Sequence, residues 1–116
     1  MANHTICTWT GASGKKYVYE VHARHPELTR GEPGNYIYAK MDEHRRWIPI
    51  YIGAGDLTQR AAIYPRIGSC IETKGATHVH THVSQDRDKR LAEAKDLLAN
   101  YPQARVPDGC NEEGAP

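Results

Sequence analysis

The chain contains no apolar run near the roughly 18 residues that a membrane-spanning helix needs. At its start, Met1-Ala2-Asn3-His4-Thr5 lacks the charged segment and long apolar core of a secretory leader, so a cytoplasmic location is the default expectation. Cysteine is scarce. Cys7, Cys70 and Cys110 are odd in number, far apart and without a CxxC pair, a pattern that argues against a disulfide framework or a zinc ribbon and for buried or free thiols. Neither charge sign is in excess: the net charge is +1, so bulk composition does not demand a polyanionic partner as a pI above about 9 would. Any nucleic-acid contact must come from a local patch. Repeats and low-complexity blocks are also missing. What remains is a chain of 116 residues, 39% hydrophobic and 25% charged, the size of one domain around a single core.

Local patterning gives an ordered set of elements. Gly11-Ala12-Ser13-Gly14 separates two β-rich runs, Ile6–Trp9 and Tyr17–Val21, and predicts an N-terminal hairpin over about 5–22 with Tyr17, Tyr19 and Val21 on one face. Residues 23–33 have no apolar period and read as a loop. Tyr36–Lys40 and Trp47–Ile52 alternate around the charged turn Asp42–Arg46 and predict a second hairpin. Strict alternation there places Ile48, Ile50 and Ile52 on one face and Trp47, Pro49 and Tyr51 on the other. Pro49 lacks an N–H and belongs at an edge or a bulge. Asp56 is a candidate N-cap for a helix carrying Leu57, Arg60, Ala61 and Tyr64 on one face, stopped or kinked by Pro65. Residues 75–83 alternate as a strand with His78, His80 and His82 on one face. Asp86 or Asp88 starts a last helix of about fourteen residues, after which Pro102 and Pro107 keep the tail irregular. On that helix Leu91, Ala94, Leu98 and Tyr101 centre the apolar stripe, and Glu93 falls on its rim, where a solvated carboxylate is the plain reading.

Gly34-Asn35-Tyr36 and Tyr51-Ile52-Gly53 have fourteen residues between their tyrosines, and Arg60 follows Gly53 by seven. This ordered set resembles the signature of the GIY-YIG nucleases, with GNY in place of GIY. The order strand, strand, helix, strand, helix matches as well, and the resemblance covers about residues 33–111, with the hairpin as an addition. It implies an α/β (α+β) sandwich, a small antiparallel sheet flanked by helices, forming a single domain over 1–116. It also implies a metal-dependent endonuclease. In that family the first- or second-motif tyrosine, here Tyr36 or Tyr51, helps activate water, and a helix arginine, here Arg60, contacts the scissile phosphate. A glutamate on the last helix binds one divalent metal, Mg²⁺ or Mn²⁺, and an asparagine after it, here Asn111, supports the site. Counting back from Pro102 makes Glu93 that glutamate, whereas aligning Leu97-Leu98 with the family's paired aliphatics puts Ala94 there. A guanidinium and a metal ion together neutralise a pentacoordinate phosphate, whereas a phenol with a pKa near roughly 10 needs help to act as a base.

The partner implied is nucleic acid, in the first place DNA, with a partner protein or a homodimer for targeting. Lys40, Arg45, Arg46, Arg66 and Lys74, with Arg60, are the candidate phosphate track. Two other readings compete. One is a nucleic-acid-binding module that has lost its metal ligand, and the other is a zinc-binding or purely structural small protein. For zinc, His78, His80 and His82 share a face and Glu72 or Cys70 is near in sequence. The outer two imidazoles of one strand are about 13 Å apart, which disfavours a shared tetrahedral ion. Tyr36, Tyr38 and Tyr51 taken singly are packing residues. The glycines beside them move the balance towards a site.

Overall fold

The computed structural model describes residues 5–23, 33–56 and 68–112. The N-terminal hairpin forms as its alternation dictates, from β1 (Thr5–Thr10) and β2 (Lys16–Ala23), with Trp9 opposite Tyr17 and Cys7 opposite Tyr19. The second hairpin pairs β3 (Pro33–Met41) with β4 (Trp47–Asp56) around a turn in which Asp42 Oδ1 accepts from the backbone N–H groups of His44 and Arg46. Between the hairpins lies β5 (His78–Val83), antiparallel to both β2 and β3, so the sheet runs β1-β2-β5-β3-β4. The hairpin over 5–22 is thus an integral half of one sheet, joined through β5. The fold is a small α+β domain, as expected at the level of class.

Helices cover the two faces unequally. Residues 68–73 are helical (α1), and Ile71 packs on the face that bears Tyr36, Tyr38 and Val79. The helix expected to begin at Asp56 falls largely on residues outside those described; Asp56 itself is the last residue of β4. On the opposite face lies α2 (Arg87–Asn100), capped by Asp86, whose carboxylate accepts from the N–H groups of Asp88 and Lys89. Its buried residues are Glu93, Ala94, Leu97 and Leu98, set against Trp9, Tyr19, Ile37 and Ile52. A short 3₁₀ turn, Pro102–Ala104, follows. Among the described residues no helix is long and apolar enough to cross a membrane.

Two expectations are corrected. The isoleucines of β4 do not share one face: the register shifts between Tyr38 and Ala39, leaving Ile50 as an extra residue between Tyr51 and Pro49. A bulge of this kind inserts one residue and reverses the alternation beyond it, so Ile50 joins the tyrosines while Ile52 joins the α2 core. Pro49 sits beside this bulge on an edge strand, where its missing N–H costs least. The second correction concerns cysteine: Cys70 and Cys110 form a disulfide, and only Cys7 is free. The bond ties α1 to a tail that runs beside β4. There Cys110 N–H donates to Ile50 C=O at 2.8 Å, and Asn111 is fully buried, accepting from Ile52 N–H at 2.8 Å and donating to Ile52 C=O at 2.9 Å.

Candidate functional site

Tyr36 and Tyr51 do emerge on one face of the sheet. Their ring centroids are 6.1 Å apart, and Tyr38 meets Tyr36 edge-on at 6.0 Å. Tyr36 stands directly opposite Gly53 in the ladder. The reason for glycine is then steric, because a Cβ at position 53 would lie 2.6 Å from Cζ of Tyr36. The first motif's tyrosine occupies the space that the second motif's glycine leaves open. Both rings are packed, Tyr36 at 2% and Tyr51 at 7% exposure, together with Ile71, Ala76, Val79 and Cys110. Arg60 and Arg66 lie outside the described residues. The remaining basic candidates gather towards the β3–β4 turn: Arg45 and Arg46 in it, Lys40 near the end of β3 with its side chain passing Gly75, and Lys74 just beyond α1. Two of these are held by the protein itself, since Arg46 Nε lies 3.3 Å from Asp42 and Lys74 Nζ donates to Pro107 C=O at 2.6 Å.

Glu93 is not with them. It lies on the α2 face, and so does Ala94, so neither register of the last helix brings a residue to Tyr36. Nor is Glu93 a solvated rim residue: it is buried at 6% exposure, and its Oε2 accepts from the Tyr19 hydroxyl at 2.5 Å and pairs with His82 Nδ1 at 2.9 Å. Burial of a carboxylate requires such donors. Asn111, the other expected support, is consumed by Ile52 and serves the sheet. The residues present therefore do not fit the divalent metal site that the resemblance implies, because the one candidate carboxylate is committed to a phenol and an imidazole on the wrong face. Among the described residues no group of three or more His, Cys, Asp or Glu side chains converges as a metal would need. The three strand histidines also part company. His78 Nδ1 pairs with Thr77 Oγ1, His80 Nδ1 accepts from Trp9 Nε1–H at 2.9 Å, and His82 turns to Glu93.

The α2 face instead carries a polar network which local sequence patterning did not reveal. Asp96, one turn beyond Glu93, accepts from Ser13 N–H at 2.8 Å, Ser13 Oγ at 2.6 Å and Tyr17 O–H at 2.8 Å, which fixes the β1–β2 turn to the helix. Gly11 is needed there, since a Cβ would fall 2.0 Å from the Asp96 carboxylate. The Ser13 hydrogen bonds, the leading cause, hold Asp96 below the usual carboxylate range. Burial first and the Asp96 hydrogen bond next push Tyr17 up to about 12. Burial and the adjacent Glu93 carboxylate raise Tyr19 far above an ordinary phenol. Both tyrosines are therefore protonated donors at neutral pH. Deeper in, His80 lies between Trp9 and Trp47, at centroid distances of 5.5 and 4.6 Å. Burial, with His78 and His22 nearby, lowers it to about 4, and it stays neutral. Since Nδ1 accepts from Trp9, its proton is on Nε2, which has no hydrogen-bond partner among the described residues.

Above this network opens a cleft of about 850 Å³, lined by His82, Glu93, Tyr17, Lys15, Lys89 and Lys95 among others. The signal for it was present but scattered, as tyrosines on one strand, a histidine on another and alternating charge on a helix. No protein-family model, curated protein or solved structure matches this chain.

Proposed function

We propose that this chain is a nucleic-acid-binding domain of the GIY-YIG type that has kept the phosphate-contacting face and lost metal-dependent cleavage. The observation that supports the reading is the direct pairing of Tyr36 with Gly53, which joins the two halves of the signature in one ladder and gives the glycine a steric reason. Loss of cleavage is supported by Glu93, whose oxygen is held by Tyr19 and His82 on the opposite face. The basic residues near the β3–β4 turn, with Arg60, supply the charge for phosphate contacts. Their number is small, so binding is weak and strongly reduced by salt.

Fluorescence anisotropy with labelled duplex DNA at low salt tests this, alongside incubation of supercoiled plasmid with Mg²⁺ or Mn²⁺. Expected are salt-sensitive binding weakened by Arg60→Ala and an intact plasmid. Nicking abolished by Arg60→Ala would replace the binder with an active nuclease. Absence of binding at low salt, with the plasmid intact, would end both nucleic-acid readings.

A further inference from the structure

The cleft on the α2 face has no part in that reading, and its chemistry is specific. Its two carboxylates are already satisfied from within: Asp96 accepts three hydrogen bonds and Glu93 two. They have little to offer a cation. The lysines Lys15, Lys89 and Lys95 outnumber them on the lining. His82 is clamped through Nδ1 to Glu93, while its side chain keeps 29% exposure. Its Nε2 is thereby the ring atom offered to the cleft, in a fixed orientation, as a carboxylate-oriented imidazole is elsewhere. Tyr17 and Ala92 supply an apolar wall. The volume lies within the range of small-ligand sites.

We infer that this cleft is a binding site for a terminal phosphate monoester of nucleotide size. The lysines provide the charge, His82 Nε2, its ring proton being given from Nδ1 to Glu93, accepts from a P–OH or sugar hydroxyl of the ester, and Tyr17 is the surface for the organic part. The group comes from a free mononucleotide or from the phosphorylated end of a nucleic acid. The inference stands whether or not the tyrosine face binds anything.

The test is an NMR titration of the full-length chain in a phosphate-free buffer, following histidine ring protons and backbone amides. Adenosine monophosphate, inorganic phosphate, and oligonucleotides with a 5′-phosphate or a 5′-hydroxyl are the probes. The expected result is a saturable shift of His82 and of amides in residues 82–84 and 89–96, with His44 in the β3–β4 turn unmoved. Lys89→Gln combined with Lys95→Gln, both exposed and so leaving the fold intact, should weaken binding about tenfold or more, as should His82→Gln. Saturation by the mononucleotide but by neither oligonucleotide assigns a free nucleotide. Saturation by the phosphorylated oligonucleotide and not its hydroxyl counterpart assigns a nucleic-acid end. No saturable shift with millimolar ligand would overturn the proposal, as would equal shifts at His44 and His82 or an affinity unchanged by the lysine pair.

Discussion

The two faces of the sheet bury side chains of similar size by opposite means. Under α1, the tyrosines of β3 and β4 pack with Ile50, Ile71, Ala76 and Val79, and a disulfide closes the cluster from one side. Under α2, apolar residues alternate with polar ones that are answered in part: Tyr19 by Glu93, His80 Nδ1 by Trp9 and Asn35 Nδ2 by the Arg90 carbonyl, while His80 Nε2 and Asn35 Oδ1 have no hydrogen-bond partner among the described residues. The disulfide makes the first face sensitive to reductants. Hydrogen bonds accepted by neutral His80 and by the Asp96 carboxylate make the second face sensitive to acid. The tyrosine pair of the GIY-YIG-like signature lies on the first, and Glu93 and the cleft lie on the second.

Removing the bond of the first face has the largest expected effect. Cys70→Ser with Cys110→Ser frees a loop of 40 residues, which costs about 2–4 kcal/mol in the chain-entropy account. Urea unfolding should show it as a lower midpoint. Hydrogen exchange should quicken around residues 68–76 and 105–111 while α2 stays protected. If α2 loses protection equally, the faces are one cooperative unit and the contrast fails.

Next in size is Gly53→Ala. Its methyl meets the packed Tyr36 ring, and a buried ring without room to move makes that an overpacking change of roughly 1–3 kcal/mol. Tyr36→Ala should remove most of the penalty, so the two substitutions together cost less than their sum. Additive effects would mean that the glycine is there for another reason.

Acid probes the second face. With His80 at about 4 when folded against roughly 6.5 unfolded, the unfolded chain takes up the proton first. The contribution of neutral His80 is therefore fully present above about pH 6.5 and declines towards pH 4, by about 1.4 kcal/mol per unit at most. Asp96, also lowered, adds a loss of the same sign at more acid pH. His80→Gln keeps an acceptor for Trp9 and should flatten the slope between pH 6.5 and 4. An unchanged slope in that variant would place the acid sensitivity elsewhere.

Much of this architecture is written locally. The alternation of β1, β2 and β5 and the Asp86 cap of α2 depend on neighbours in sequence, and they form where the pattern puts them. What escapes is set by distant partners. One extra residue at Ile50 reverses the faces of β4, and alternation alone cannot announce a bulge. Helix at 68–73 is hidden by glycine, serine and β-branched residues whose own preference is weak. Cys70 and Cys110 meet only because the tail returns along β4. Glu93 looks like a surface carboxylate until Tyr19, 74 residues away, and His82 reach it. The candidate tyrosine pair was legible because both motifs lie on one hairpin, whereas the cleft draws its walls from three separate segments.

Asn111 has a wider consequence for how the molecule lives among its own copies. β4 is an outer strand, and the free backbone groups of such a strand invite another chain to add itself in register. With one amide Asn111 fills both the donor and the acceptor position of Ile52, and Cys110 fills Ile50 beside it. The tail thus acts as a seal two residues long. At the far side of the sheet Ile6 of the outer strand β1 and Val18 of its neighbour β2 stay 63% and 53% exposed, and the cover that residues 110 and 111 give belongs to the β4 margin.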